Sequence, residues 1–115
     1  MRVHLWNDSN AEPMSPLISR QVLHAETMTM ARLVIKKGGV VPLHQHVNEQ
    51  ISTIIEGVLL FEIDGRQVTV GAGESLVIPP DIPHKVEALE DTIAVDVFSP
   101  VREDWVRGDD AYLRR

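Results

Sequence analysis

From Gly38 onward, short apolar runs alternate with turn-forming residues. Val, Ile and Leu cluster between Gly38-Gly39, Gly57, Asp64-Gly65, Gly71-Ala72-Gly73, Pro79-Pro80-Asp81 and Pro83. Short β-branched runs at this spacing predict an all-β sandwich or barrel rather than βαβ units. The strands read as Met28–Lys36, Val41–His46, Ile51–Glu56, Val58–Ile63, Arg66–Val70, Glu74–Ile78, His84–Ala88 and Thr92–Phe98. The sharpest local prediction is a hairpin. Val58–Ile63 and Arg66–Val70 flank Asp64-Gly65, which suits a type I′ turn because both central residues need positive φ. The ends differ from the middle. Asn7–Pro16 is polar, carries Pro13 and Pro16, and reads as a loop or arm. Arg102–Arg115 is rich in charge, with Trp105, Tyr112 and Leu113 as anchors, and reads as a short terminal helix on the barrel or a mobile tail.

Composition narrows the function classes. The 115 residues suffice for one domain, taken as 1–115. No cysteine is present, which excludes a disulfide scaffold, a Cys-ligated zinc or iron–sulfur site and a Cys nucleophile. Metal or acid–base chemistry falls to the five His and 17 Asp plus Glu. Eleven Lys plus Arg leave a formal charge of −6, and no basic cluster exceeds a dipeptide, so nucleic acid is not an expected partner. The longest apolar stretch, Gly57–Phe61, is too short to cross a bilayer. Met1–His4 lacks an apolar signal core. A soluble, cytoplasmic protein is the expectation.

The candidate chemistry lies in the histidines. His44 and His46 sit one residue apart on a predicted strand, where alternation sends both to one face. Two imidazoles on an interior face are costly unless hydrogen-bonded or bound to a metal. Gln50 follows a turn at Val47-Asn48-Glu49, and His84 follows the Pro79–Pro83 turn at the start of another strand. A His-x-His pair alone is more often a pair of surface or satisfied core residues. His4 and His24 match no ligand spacing and read as solvated or interfacial side chains.

The frame around these residues is more specific. Gly38, five residues, His44-Gln45-His46, three residues, Gln50, six residues and Gly57 form one motif (38–57). Gly73, five residues, Pro79-Pro80-Asp81, two residues and His84 begin a second (73–88). Together they resemble the two motifs of the cupin superfamily. Gln50 stands where a Glu is usual, Asp81 where a Gly is, and Ala88 where an Asn is frequent. The resemblance implies a single-domain jelly-roll barrel holding one divalent transition metal (Zn, Mn, Fe or Ni) on His44, His46, Gln50 and His84. Three His with open positions form a catalytic rather than a closed structural arrangement. A neutral amide at Gln50 leaves the cation's charge uncompensated, which strengthens its Lewis acidity and favours an anionic substrate.

The late strand Thr92–Pro100 gives two conflicting readings. Asp96 shares a face with Thr92, Ala94 and Phe98, while Ile93, Val95 and Val97 share the other. Alternation alone favours the Ile/Val face as core and a solvated Asp96. However, Asp96-Val97-Phe98-Ser99-Pro100-Val101-Arg102-Glu103-Asp104-Trp105 resembles the C-terminal signature of small cupins related to the pectin-degradation protein KdgF. That resemblance implies that Asp96, Phe98 and Arg102 line the metal pocket. Asp96 would act as general acid/base and stay ionised beside the cation, Arg102 would pair with a uronate carboxylate, and Phe98 would pack on the sugar. The implied reaction opens 4,5-unsaturated uronates to the linear keto form. An inward Asp96 also requires the Ile93/Val95/Val97 face to be buried, most simply against a second sheet or a second subunit, which implies a homodimer. Arg20 is a lesser pocket candidate, with an exposed charge as the simpler reading. Two other functions fit the same motifs: an iron-dependent cupin dioxygenase, and a cupin that binds metal and a small acid without turnover.

Overall fold

The computed structural model describes residues 1–114. The β reading holds throughout the predicted region. Among the described residues the strands are β1 (Glu12–Ser15), β2 (Ile18–His24), β3 (Thr29–Ile35), β4 (Val40–His44), β5 (Glu49–Glu56), β6 (Val58–Ile63), β7 (Arg66–Gly71), β8 (Ser75–Ile78), β9 (His84–Ala88) and β10 (Thr92–Ser99). They form two antiparallel sheets, one ordered β1-β2-β3-β10-β5-β8 and the other β4-β9-β6-β7. No helix among the described residues is long and apolar enough to cross a membrane. The predicted hairpin is β6–β7, and Asp64 and Gly65 take φ of 50° and 77° as a type I′ turn requires.

The core lies between the sheets. Ala31, Leu33, Ile35, Ile54, Ala94 and Phe98 of the larger sheet meet Val41, Leu59, Phe61, Val86 and Ala88 of the smaller. Asp96 belongs to this inward set, at 7 % exposure. The expectation from alternation alone, a solvated Asp96 over an Ile/Val core, is therefore overturned. Ile93, Val95 and Val97 are only half-buried within the chain, on an outer face that also carries Met30, Val34, Ile51, Ile55 and Val77.

Two strands escape the sequence reading. β1 occupies part of the expected Asn7–Pro16 loop. Its Pro13 is tolerated because β1 is an edge strand, where a missing N–H costs no ladder bond. In β2 a charged residue, Arg20, takes an interior position between Ile18 and Val22 and hides the apolar period. Up to Arg114 the C-terminal segment forms a short helix α1 (Glu103–Val106) and a 3-10 turn (Ala111–Leu113), and Arg115 lies outside the described residues.

Gly57, the last residue of the first motif, is fixed by close approach. Its φ is +90°, and a Cβ there would lie 2.4 Å from the Asp91 carbonyl oxygen and 2.4 Å from Thr92 Oγ1. Gly57→Ala is expected to destabilise the fold by roughly 2 kcal/mol or more. Thermal melting checks this, and an unchanged Tm would contradict it.

Candidate metal centre

His44, His46 and His84 converge, each offering a ring nitrogen within 4.8 Å of the others. Three local devices bring them together. First, β4 and β9 pair at Val41↔Val86 and His44↔His84, so three steps on β4 oppose two on β9. This bulge, at Pro42-Leu43, shifts the parity of β4 and lets both Val41 and His44 face inward. Second, His46 lies beyond the end of β4 rather than on it, and a bend at Val47-Asn48 returns the chain to β5. Third, the Asp81 amide donates to the His46 carbonyl at 2.8 Å, tying the turn before His84 to the first motif. Asp81 holds φ of 62° there, a conformation that Asp tolerates and Gly favours. Gln50 faces inward on β5, in register with Phe98 of β10.

All three rings are held the same way. Nδ1 of His44 donates to the Pro42 carbonyl at 2.7 Å, Nδ1 of His46 to Asn48 at 3.0 Å, and Nδ1 of His84 to Ile82 at 2.8 Å. A carbonyl only accepts, so each ring carries its proton on Nδ1 and presents the Nε2 lone pair to the cluster. The rings are kept neutral, as ligands must be. Burial, with His84 close by, pushes His44 down to about 3. Burial, with the Arg102 charge, pushes His46 down to about 4. Burial also lowers His84.

This arrangement fits a cation. The His84 Nε2 atom is buried without a hydrogen-bond partner, a costly orphan in a metal-free protein. His46 Nε2 lies 3.0 Å from Gln50 Oε1, while the Gln50 amide nitrogen donates to Ser52 Oγ at 2.9 Å. With Nδ1 of His46 protonated, two lone pairs face each other across that gap. A divalent ion accepting from both, and from the His84 orphan, removes both penalties. Imidazole nitrogens with one amide oxygen suit borderline transition metals rather than Mg or Ca.

Asp96, Phe98 and Arg102 line the same cavity as His44, Gln50 and His84. Burial pushes the Asp96 carboxyl up to about 6, against opposing effects of a Ser52 hydrogen bond and the Arg102 charge. Arg102 is nearly fully buried and already engaged. Its Nε and Nη2 bond both Asp104 carboxylate oxygens at 2.9 and 2.8 Å, and Nη2 also donates to the Tyr112 hydroxyl at 2.8 Å. The guanidinium lies over the rings of Phe98 and Trp105, 4.6 and 4.1 Å from their centroids. Burial opposes its charge, but Asp104 and Tyr112 more than offset this and hold its pKa above the ordinary value.

Several predicted residues fall elsewhere. Arg20 is neither exposed nor in this cavity. It is buried over the Trp105 ring, 4.6 Å from the centroid, and its Nη2 donates to Glu12 and Asp110. His4 packs edge-on against Trp6, and His24 bonds Thr29 Oγ1. Residues that sequence reasoning missed include Asn48, read as part of a turn. Its carbonyl orients His46, and its buried amide donates to the Pro100 and Val101 carbonyls just before Arg102. Tyr112, read only as an anchor, stacks on His44 with ring centroids 4.6 Å apart.

The family model described as the cupin domain matches residues 31–99. Over 90% of its length the chain is similar to the structure of KdgF from Halomonas sp., with a TM-score of 0.81 and 26% identity across 99% of that chain. A TM-score of 0.81 and 27% identity also relate it to an RmlC-like cupin from Shewanella frigidimarina, over 90% of this chain and 96% of that one. Among curated proteins it is 33% identical over 78 residues to the uncharacterized protein MJ1618 of Methanocaldococcus jannaschii. That match covers 63% of this chain and 62% of the relative, so the chain spans about three fifths of that protein's length.

Proposed function

The chain belongs to the cupin family, and on that premise we propose that it is a metal-dependent enzyme that opens the ring of 4,5-unsaturated uronates to the linear keto acid. The observation that carries this reading is the placement of a carboxyl that titrates near 6, Asp96, and a buried guanidinium, Arg102, in one cavity with His44 and His84, whose Nε2 lone pairs converge with that of His46. The similarity to KdgF and the Asp96/Phe98/Arg102 signature support the substrate class.

A divalent cation on His44, His46, Gln50 and His84 would supply Lewis acidity toward the substrate's oxygens. The remaining steps fall to the chain itself. Asp96 takes the proton of the anomeric hydroxyl as the C1–O5 bond breaks and the C1 aldehyde forms. The ring oxygen leaves as an enolate at C5, and the proton then passes from Asp96 to C4 as that enolate becomes the ketone. The reaction is an isomerisation and consumes no oxidant. A carboxyl pushed up to about 6 suits both halves of this transfer, because it is a competent base near neutrality and its conjugate acid is a competent donor. Arg102 offers a planar fork for the uronate carboxylate, and the Phe98 ring packs beside it.

The test is direct. Metal-loaded protein mixed with a 4-deoxy-4,5-unsaturated monouronate is expected to speed the loss of the enol ether's ultraviolet absorbance. With metal confirmed in the protein, a rate equal to that of buffer would refute the substrate assignment.

A further inference from the structure

The cavity is too small for the proposed substrate. Its volume is about 40 Å³, room for a few waters, whereas a monouronate has about a dozen heavy atoms and calls for a pocket several times larger. Most of the wall cannot yield. Leu33, Ile35, Leu59, Phe61, Val86 and Ala94 stand on paired strands, and moving any of them breaks ladder hydrogen bonds. Tyr112 and Leu113 are different. They sit on the 3-10 turn Ala111–Leu113, whose amide bonds are local, from Leu113 to the Asp110 carbonyl and from Arg114 to Ala111. Among the described residues no backbone hydrogen bond joins this turn to either sheet.

Side chains hold the turn in place. Leu113 is buried in the cavity wall, and the Tyr112 ring stacks on His44. The Tyr112 hydroxyl accepts from Arg102 Nη2 at 2.8 Å and from Trp105 Nε1 at 3.0 Å. At the rear, Asp110 is bonded by Arg20 and Arg114. Arg102 is thus the group that joins the turn to the pocket. It is also the cation that the uronate reading assigns to the substrate carboxylate. The same Nη2 cannot keep Asp104 and Tyr112 in their present geometry and also form a new bidentate pair.

We propose that the turn carrying Tyr112 and Leu113 is a displaceable cover over the metal pocket, latched by the Tyr112 hydroxyl on Arg102, and that a small organic carboxylate opens it by drawing the guanidinium away. The inference rests on the reading of the pocket as an anion-binding site. Neutral sugars of the same size lack the charge that competes with Asp104 and Tyr112, so the latch selects for acids before any chemistry begins.

Two measurements on metal-free protein test this without reference to turnover. The first follows carbethoxylation of each histidine by diethyl pyrocarbonate, read by mass spectrometry. His4 and His24 lie outside the pocket and serve as internal references. Tyr112→Phe keeps the ring and loses the latch, and is expected to raise the rates at His44 and His84 several-fold. Tyr112→Ala, which also removes the stack, is expected to raise them tenfold or more. Unchanged rates at His44 and His84 in Tyr112→Phe, a conservative variant, overturn the latch. Unchanged rates in a folded Tyr112→Ala overturn the cover. The second measures nitration of Tyr112, the chain's single tyrosine, by tetranitromethane with glucuronate or glucose added. Faster nitration with glucuronate alone is the expected result. Equal effects, slower nitration or no effect overturn opening by a carboxylate. Failure of the ring-opening assay leaves both readouts intact, so the two readings fail separately.

Discussion

His84→Ala is expected to strip the protein of its metal while leaving the barrel folded. His84 Nε2 is fully buried without a hydrogen-bond partner, so that atom is satisfied only when a cation is bound. A four-ligand site releases roughly 10–16 kcal/mol on binding zinc, or about 2.5–4 kcal/mol per ligand. Losing one imidazole should therefore weaken binding by a factor of roughly one hundred to one thousand. In the metal-free state the substitution removes a buried, unsatisfied polar atom and leaves a small void. Those effects oppose each other, so the melting temperature of metal-free protein should change far less than that of the loaded form. Gln50→Ala is expected to cost less affinity, because an amide oxygen is the weaker donor. Gln50→Glu should bind a divalent ion more tightly than wild type, since it adds a charge facing the three neutral rings. Titration with a chromophoric chelator reads all three. Equal affinity in His84→Ala and wild type would remove the metal centre from the account.

How far the sequence exposes this site depends on the residue. The three clustered histidines and Gln50 are legible because their spacing is tied to two turns, and turn chemistry is local. Their convergence is not legible in detail. His44 reaches the interior only through the bulge at Pro42-Leu43, which no alternation pattern announces. Asp96 shows the opposite failure. Alternation gives two faces of equal regularity, and the apolar one, Ile93/Val95/Val97, is the outer one. A barrel that keeps a carboxyl inside breaks the rule that the apolar face is the buried face. Only the resemblance of the Asp96–Trp105 segment to other cupins supplied the correct orientation. Arg102 was legible as a pocket residue, but its partners Asp104 and Tyr112 were not. Tyr112 is ten residues away, and the two meet only because α1 and the following turn fold back over the cavity. β2 was hidden for a related reason. Arg20 stands at a core position because Asp110, distant in sequence, neutralises it there.

Asp96→Asn is expected to show two effects of opposite sign. The first concerns turnover. An asparagine of the same shape neither accepts nor returns a proton, so uronate ring opening should fall roughly 100- to 10,000-fold while the metal content stays at the wild-type level. A protein that only binds metal and acid would show little change. The second concerns stability without metal. Burial pushes the folded-state carboxyl of Asp96 up to about 6 from an ordinary value of 3.8. Below the ordinary value both folded and unfolded chains hold the proton, and the group costs nothing. Between there and about pH 6 the unfolded chain releases its proton first, so stability declines as pH rises. Above about 6 the full penalty is in force. The difference between 6 and 3.8 corresponds to about 3 kcal/mol, an upper figure for a group with Ser52 and Arg102 beside it. Metal-free Asp96→Asn should therefore be more stable than wild type at pH 7.5, by up to about 3 kcal/mol, with the gain vanishing near pH 4. The buried histidines titrate in the same acid range, but they are common to both proteins and largely cancel in the comparison. Denaturant melts at the two pH values, run beside the turnover assay, separate the roles. A variant that loses activity and gains neutral-pH stability marks Asp96 as a residue kept at the expense of the fold. One that loses both is explained by structural damage, and the acid/base assignment falls with it.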